Sequence, residues 1–174
     1  MAAKGKLMAM AHLPDDPALL AAVGAVTIRH SFLDWTLNRT IKTLIELTPD
    51  AADWILAREP SATLRRKIRH IAKTMFGKDS DAYKGLNELL KECEDVTDKR
   101  NDLVHCIWAT YADGPVLIDL QAKDKRLPLP TAAEVEALAA QIYELTEKIN
   151  AERTKGGGFI HAAVQEYKAR TAKK

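Results

Sequence analysis

The segment RNDLVH, residues 100–105, holds the residue types of this chain that are best suited to chemistry. Arg100 is a permanent cation with a planar fork of donors that suits the oxygens of a phosphate. His105 adds an imidazole, and histidine is the residue type that exchanges protons near neutral pH. Together they suit cleavage of a phosphodiester without a metal. The imidazole would move protons, and the guanidinium would hold the charge that builds on the phosphate oxygens.

The spacing of these two residues predicts that one straight helix does not bring them together. Five helical steps place Arg100 and His105 about 140° apart, with an axial rise of about 7.5 Å. We therefore expect them to converge only if the helix bends or a second subunit completes the cleft. The structural alternative is that Arg100 pairs with Asp98 or Glu94 while His105 stabilises the end of the helix.

Several helices are predicted on the N-terminal side of this segment. Asp16 and Pro17 indicate a helix start, and apolar residues at three- and four-residue steps extend that helix to about residue 47. A short helix is predicted to include residues 54–58. Ser61 is predicted to cap a further helix that stops at Gly77, and the helix that begins near Ser80 leads into RNDLVH.

On the C-terminal side the pattern changes to that of strands. The β-prone runs 107–111 and 116–120 flank a turn that contains Gly114 and Pro115, which predicts a small hairpin. The stretch KDKRLPLP is interpreted as a linker. Thr131 and Glu134 match a capping box that opens a helix to about residue 152, and residues 156–158, all glycine, precede a last amphipathic helix.

These patterns predict an all-α fold, a helical bundle with one small hairpin after RNDLVH. We divide the chain into a flexible N-terminus over residues 1–15, a helical bundle over 16–152, and a C-terminal helix with a basic tail over 153–174. A chain of 174 residues is long enough to bury one core without disulfides. Trp35, Trp54 and Trp108 are expected to pack in the core or an interface.

RNDLVH also resembles the signature of the higher eukaryotes and prokaryotes nucleotide-binding family, usually called HEPN. That signature is an arginine, a polar residue such as asparagine, three variable positions and a histidine. Trp108 after the histidine and SFLDW, residues 31–35, are similar to bacterial hypothetical proteins of the same family. The similarity in helical order extends from about residue 17 to 150, and only the six-residue motif is specific.

The resemblance implies a bundle with an up-and-down core that dimerises with both motifs facing one cleft. It also implies that an active member is a metal-independent endoribonuclease, without a cofactor, that acts as a toxin or in phage defence. Arg100 and His105 inherit the catalytic roles and Asn101 the polar support. An antitoxin or a nucleotidyltransferase-type protein is the implied partner. Cys106 stands where glycine is common in the similar proteins, so we expect it to crowd the backbone at the cleft.

Two other hypotheses share this fold. The first is a non-catalytic helical module that binds a nucleotide, RNA or a protein in the same cleft. The second is a structural dimer whose RNDLVH segment only joins the interface. In each case dimerisation is expected through the helices around residues 20–45 and 95–108.

A basic helix face is the predicted place for RNA phosphates. Residues 58–78 hold seven Lys or Arg against one Glu, and Arg65, Arg66, Arg69 and Lys73 are placed opposite the apolar stripe of their helix. The alternative is an ordinary solvated surface. The net charge of +2 does not by itself indicate a nucleic-acid partner.

Other classes of function are disfavoured by what the sequence lacks. It has no His-x-x-x-His or Cys-x-x-Cys pair for a metal, and its triple glycine lacks the Lys-Ser/Thr ending of a phosphate-binding loop. No apolar run approaches the roughly 18 residues of a membrane span, and no secretory signal is evident. We expect a cytoplasmic protein with no membrane association, in which Cys93 and Cys106 are free thiols.

Overall fold

The computed structural model describes residues 7–10, 14–46, 59–119, 125–154 and 156–173. Within these ranges the chain forms five helices and a four-stranded antiparallel sheet. The elements in chain order are β1 (Leu7–Met10), α1 (Pro17–Ile45), α2 (Ser61–Phe76), α3 (Asp81–His105), β2 (Ile107–Tyr111), β3 (Gly114–Asp119), β4 (Lys125–Pro128), α4 (Ala132–Arg153) and α5 (Phe159–Thr171).

Three of the predicted helix starts are confirmed. The carboxylate of Asp16 accepts a hydrogen bond from the backbone N–H of residue 19 at the start of α1. Ser80 caps α3 in the same way. Thr131 and Glu134 form a complete capping box at α4, in which each side chain accepts from the backbone of the other residue. These caps satisfy amide protons that have no partner within the helix.

The predicted cap of α2 is wrong. Pro60 occupies the capping position, and Ser61 is the first helical residue, with no side-chain cap. The hydroxyl of Ser61 instead accepts a hydrogen bond from Nη1 of Arg65, at 2.8 Å. The Ser61 oxygen therefore bonds to the Arg65 side chain, one helical turn further along, rather than to a backbone N–H of the first turn.

The predicted apolar stripes meet in one core. Residues from all five helices contribute to a single buried cluster, in which the largest completely buried side chains include Leu33, Leu37, Ile68, Leu90 and Ile142. The final helix α5 joins this core through Ile160 and Val164. The bundle therefore places the end of α3 on a packed support.

The directions of the long helices do not simply alternate up and down along the chain. Arg29 on α1 lies over the ring of Tyr143 on α4. Arg39 on α1 is close enough to Arg153 on α4 to lower its pKa. Both pairs advance ten residues along their helices, so α1 and α4 run parallel. The predicted up-and-down core would make the first and last of the four long helices antiparallel, and it is corrected in this respect.

The sheet is larger than the predicted hairpin. The hairpin itself is confirmed, since β2 pairs with β3 in a register that sets Trp108 opposite Leu117. However, β1 pairs with the other edge of β2, and β4 pairs with β3. The first strand lies in the segment predicted as a flexible N-terminus, and the last lies in the predicted linker. The fold is mostly helical rather than all-α.

Some predictions fall partly or wholly outside the described residues. The short helix at residues 54–58, the packing of Trp54 and the end of the first helix at residue 47 are among them. In the part of the chain that the structure describes, no helix has the length and apolar character needed to cross a membrane.

Candidate functional site

The last turn of α3 holds the RNDLVH segment against the sheet. Leu103 is 3% exposed and anchors this turn in the core. The indole N–H of Trp108 on β2 donates to the carbonyl oxygen of Leu103, at 3.0 Å. Since α3 ends at His105 and β2 begins at Ile107, this bond ties the first residues of the strand to the last turn of the helix. The junction is therefore held from both sides.

Arg100 and His105 are in contact within a single chain. Nη1 of Arg100 lies 3.2 Å from Nε2 of His105. A second subunit is therefore not needed to bring these two side chains into contact. Helical side chains lean toward the N-terminus of their helix, so His105 leans back toward Arg100, and the long arginine side chain covers the remaining angle.

The contact determines which hydrogen-bonding role each nitrogen has. A guanidinium has donors only, so Nη1 of Arg100 donates and Nε2 of His105 accepts. This arrangement requires a neutral imidazole that carries its proton on Nδ1. The same Nη1 also donates to Oδ1 of Asn101, at 3.1 Å. Three residues of RNDLVH thus form one hydrogen-bonded group.

Among the residues that the structure describes, no carboxylate pairs with Arg100. Glu94 bonds to Arg69 instead, at 3.1 Å, and among the described residues no ion pair involves Arg100 or Asp98. The alternative pairing of Arg100 with Glu94 or Asp98 is therefore wrong. Arg100 is half-buried, His105 is exposed, and Nε of Arg100 is buried without a hydrogen-bond partner in the described residues. The group combines an uncompensated cation with an accessible imidazole.

Comparison with protein-family models, with curated proteins and with solved structures finds no match to this chain. The assignment of the site depends on its own geometry.

The backbone at Cys106 does not require a glycine. Its backbone is extended, with φ −72° and ψ 150°, which any residue adopts without strain. Burial raises the pKa of the Cys106 thiol, and the carboxylates of Asp119 and Asp102 raise it further. The thiol is therefore protonated at neutral pH, which makes Cys106 a poor nucleophile.

The predicted basic face on α2 is divided by the structure. Arg65 is only 4% exposed and donates from Nη1 to the hydroxyls of Ser61 and Thr97. Its placement on the exposed face is wrong. Arg69 donates to Asn87 and Glu94, which compensates its charge.

Arg66 and Lys73 are exposed, as predicted. Within the described ranges neither has an ion pair. The cations of α2 that remain available to a phosphate are therefore these two side chains.

A buried polar network behind the site was missed by the sequence reasoning. Nδ1 of His30 lies 3.3 Å from Oδ2 of Asp34, and Nε2 lies 3.1 Å from the hydroxyl of Thr97. The only sequence signal was the four-residue spacing of His30 and Asp34, which places both on one face of α1. This network joins α1 to α3, and through Arg65 it also joins α2.

Metal binding has no geometric support in the described residues. There, no group of three His, Cys, Asp or Glu side chains is arranged to hold an ion. The chemistry available at RNDLVH is proton transfer by an imidazole and binding of an anion by a guanidinium.

Proposed function

We propose that this protein is a metal-independent endoribonuclease of the HEPN type. The observation that carries the proposal is the 3.2 Å contact between Arg100 and His105, in which the charge of Arg100 pairs with no carboxylate of the described residues. An arginine fork beside an imidazole matches the two requirements of metal-free phosphodiester cleavage. The chain would use no cofactor.

Cleavage would begin at the ribose 2′-hydroxyl. Nε2 of His105 takes its proton as the 2′-oxygen attacks phosphorus, and Arg100 turns its donors from the imidazole to the non-bridging phosphate oxygens. The bond from phosphorus to the 5′-oxygen breaks, and that oxygen takes a proton from an acid. The products are a 2′,3′-cyclic phosphate and a 5′-hydroxyl. Asn101 acts as a positioning residue, since its Oδ1 accepts from the guanidinium.

A second copy of the chain would supply the acid. Each chain has one histidine in RNDLVH, whereas the reaction needs a base and an acid at the same time. In a dimer with both motifs in one cleft, the second His105 protonates the leaving oxygen. The active site is then composite.

An exposed apolar stripe on α1 supports this dimer. Ile28 is 73% exposed, Phe32 40% and Trp35 45%, and the rings of Phe32 and Trp35 stack with centroids 5.4 Å apart. Val104, next to His105, is 36% exposed. Large apolar side chains in such a stripe are typical of an interface. The stripe and Val104 fall in the ranges 20–45 and 95–108 from which dimerisation was predicted.

The remaining basic residues and the implied partners take their roles from this proposal. Arg66 and Lys73 would contact the RNA backbone outside the cleft, with a salt-dependent contribution to affinity. The enzyme would act in the cytoplasm as a toxin or a phage-defence effector. An antitoxin or a nucleotidyltransferase-type protein would restrain it.

Cleavage of RNA in EDTA tests the proposal. The purified protein is incubated with several single-stranded RNAs, and the 3′ ends of the products are analysed for cyclic phosphate. Arg100→Ala and His105→Ala are expected to lower the rate at least about 100-fold, because each removes one element of the chemistry. Asn101→Ala is expected to lower it less, with rescue by Asn101→Gln.

His70→Ala is the matched control, since His70 is an exposed histidine on α2 outside the motif. Wild-type rates in the Arg100 and His105 variants would show that cleavage comes from elsewhere. Binding of RNA or a nucleotide without any cleavage would assign the cleft to a non-catalytic module instead.

A further inference from the structure

A second polar site lies away from RNDLVH, where the C-terminal half of α1, the end of α4 and the first turns of α5 meet. Its pocket has a volume of about 390 Å³, and none of its lining residues belongs to α3 or to the sheet. This volume falls within the range of small-molecule pockets, roughly 300–1,000 Å³. The buried side chain of Val164 forms part of its apolar wall.

The pocket is strongly cationic. Arg39 and Lys42 line it from α1, Arg153 from α4 and His161 from α5. All four side chains are half-buried. Glu46 is the acid among the lining residues, and its carboxylate is already bonded to Lys168. In the described part of the chain, none of the four basic residues has an ion pair.

Arg39 and Arg153 line the same pocket and interact electrostatically. Burial lowers the pKa of Arg153, and the charge of Arg39 lowers it further. Each group is also held in place. Nε of Arg153 donates to Oδ1 of Asn150, at 2.9 Å, and the guanidinium of Arg39 lies over the ring of Trp35, 4.9 Å from its centroid. Like charges in one pocket repel each other, and an anion between them would remove that cost.

We propose that this pocket binds the phosphate groups of a small phosphorylated molecule. The two guanidiniums offer planar, bidentate donors to phosphate oxygens, and Lys42 adds a point charge. Gln165 lines the same pocket, and its side-chain amide offers a further hydrogen-bond donor. A group with two or more negative charges fits this excess of cations best. The inference is independent of the proposed ribonuclease activity.

Binding of inorganic pyrophosphate tests the inference. Calorimetric titration of the full chain at constant ionic strength is expected to show one site per chain, and pyrophosphate is expected to raise the melting temperature. Arg153→Gln and Lys42→Gln should each weaken the affinity about tenfold or more, since each removes a charge-assisted contact. Lys148→Gln, which removes an exposed cation of α4 that pairs with Glu92, should not change it.

Two controls distinguish binding in this pocket from binding at RNDLVH and from a purely structural role of the cations. Arg100→Ala, which removes the cation of RNDLVH, should bind pyrophosphate as wild type does, so loss of binding there would assign the anion to RNDLVH and overturn the inference. A structural role of these cations at the helix ends predicts that Arg153→Gln and Lys42→Gln lower the melting temperature without changing its response to pyrophosphate. That result, or an equal response to sodium chloride of the same ionic strength, would also contradict the proposal.

Discussion

At the residue scale, burial separates side chains that look equivalent in the sequence. Arg65 and Arg66 are neighbours on α2 and both were predicted to contact RNA. The first is 4% exposed and bonded to two hydroxyls, whereas the second is exposed. A buried guanidinium contributes packing and hydrogen bonds, and an exposed one contributes mainly charge.

We expect Arg65→Ala to lower the free energy of unfolding by about 2–3 kcal/mol, because it removes the buried hydrogen bonds to Ser61 and Thr97. Arg66→Ala is the matched control and should change it by less than about 0.5 kcal/mol. Urea denaturation of both variants measures the difference. Equal losses of stability in the two variants would show that Arg65 does not make the buried hydrogen bonds seen in the structure.

Cys93 gives the protein a dependence on alkaline pH. Burial raises the pKa of this thiol from 9.0 to about 12. Between these values the unfolded chain releases the thiol proton while the folded chain keeps it. The raised pKa therefore contributes stability that is complete below pH 9 and is lost as the pH rises toward the folded value.

Cys93→Val replaces the thiol with an apolar side chain of similar size and removes its titration. Once the pH exceeds about 9, we expect this variant to lose less stability, relative to its own value at neutral pH, than wild type does. The difference should grow by up to about 1.4 kcal/mol per pH unit. Urea denaturation at several alkaline pH values measures it, and a difference that stays constant with pH would contradict the assignment.

At the element scale, the residues near a helix start determine where it begins, whereas the edge strands of the sheet depend on their neighbours. The caps at Asp16, Ser80 and Thr131 depend on residues within one turn, so the sequence alone predicted them. The strands β1 and β4 depend on backbone pairing with β2 and β3. A strand at the edge of a sheet needs only one paired side, and its own side chains give a weak signal.

We expect Thr131→Ala to lower the free energy of unfolding by about 1 kcal/mol, because it removes the side-chain acceptor at the start of α4. Thr74→Ala is the control. Its exposed hydroxyl donates to the carbonyl of His70 within α2 and makes no cap, so the change should be close to neutral. Similar losses in both variants, measured by urea denaturation, would argue against a stabilising capping box.

At the scale of the whole molecule, the proposed activity needs two chains. The apolar stripe of Ile28, Phe32 and Trp35 projects from α1. We expect Trp35→Glu to convert the proposed dimer to a monomer and to abolish the proposed RNA cleavage, because a buried charge at an interface is costly. Light scattering at micromolar concentration measures the first effect.

Ile45→Glu is the matched control for this prediction. Ile45 is also 45% exposed on α1, but ten residues later it points to a different side of the helix from Trp35. This variant should remain a dimer. A wild-type protein that is monomeric at these concentrations would contradict the composite active site.

The sequence by itself predicted the helices, the hairpin and the residues of the candidate site. It did so because periodic burial and capping are local properties, and because RNDLVH is contiguous. The sequence did not predict the contact between Arg100 and His105, nor the neutral imidazole that this contact requires. An ideal helix places the two Cα atoms on different sides, whereas the contact depends on the length and direction of the side chains.

Only the tertiary structure decided which charges are available. Arg65 is buried and donates a hydrogen bond to Thr97 of α3, and the charge of Arg69 is compensated by Glu94. Arg39 and Arg153, more than one hundred residues apart in the chain, were brought to one pocket by the parallel packing of α1 and α4. The physical reason is that burial and ion pairing depend on contacts between helices. A pattern within one helix shows which residues share a face, and the neighbouring helices determine what covers it.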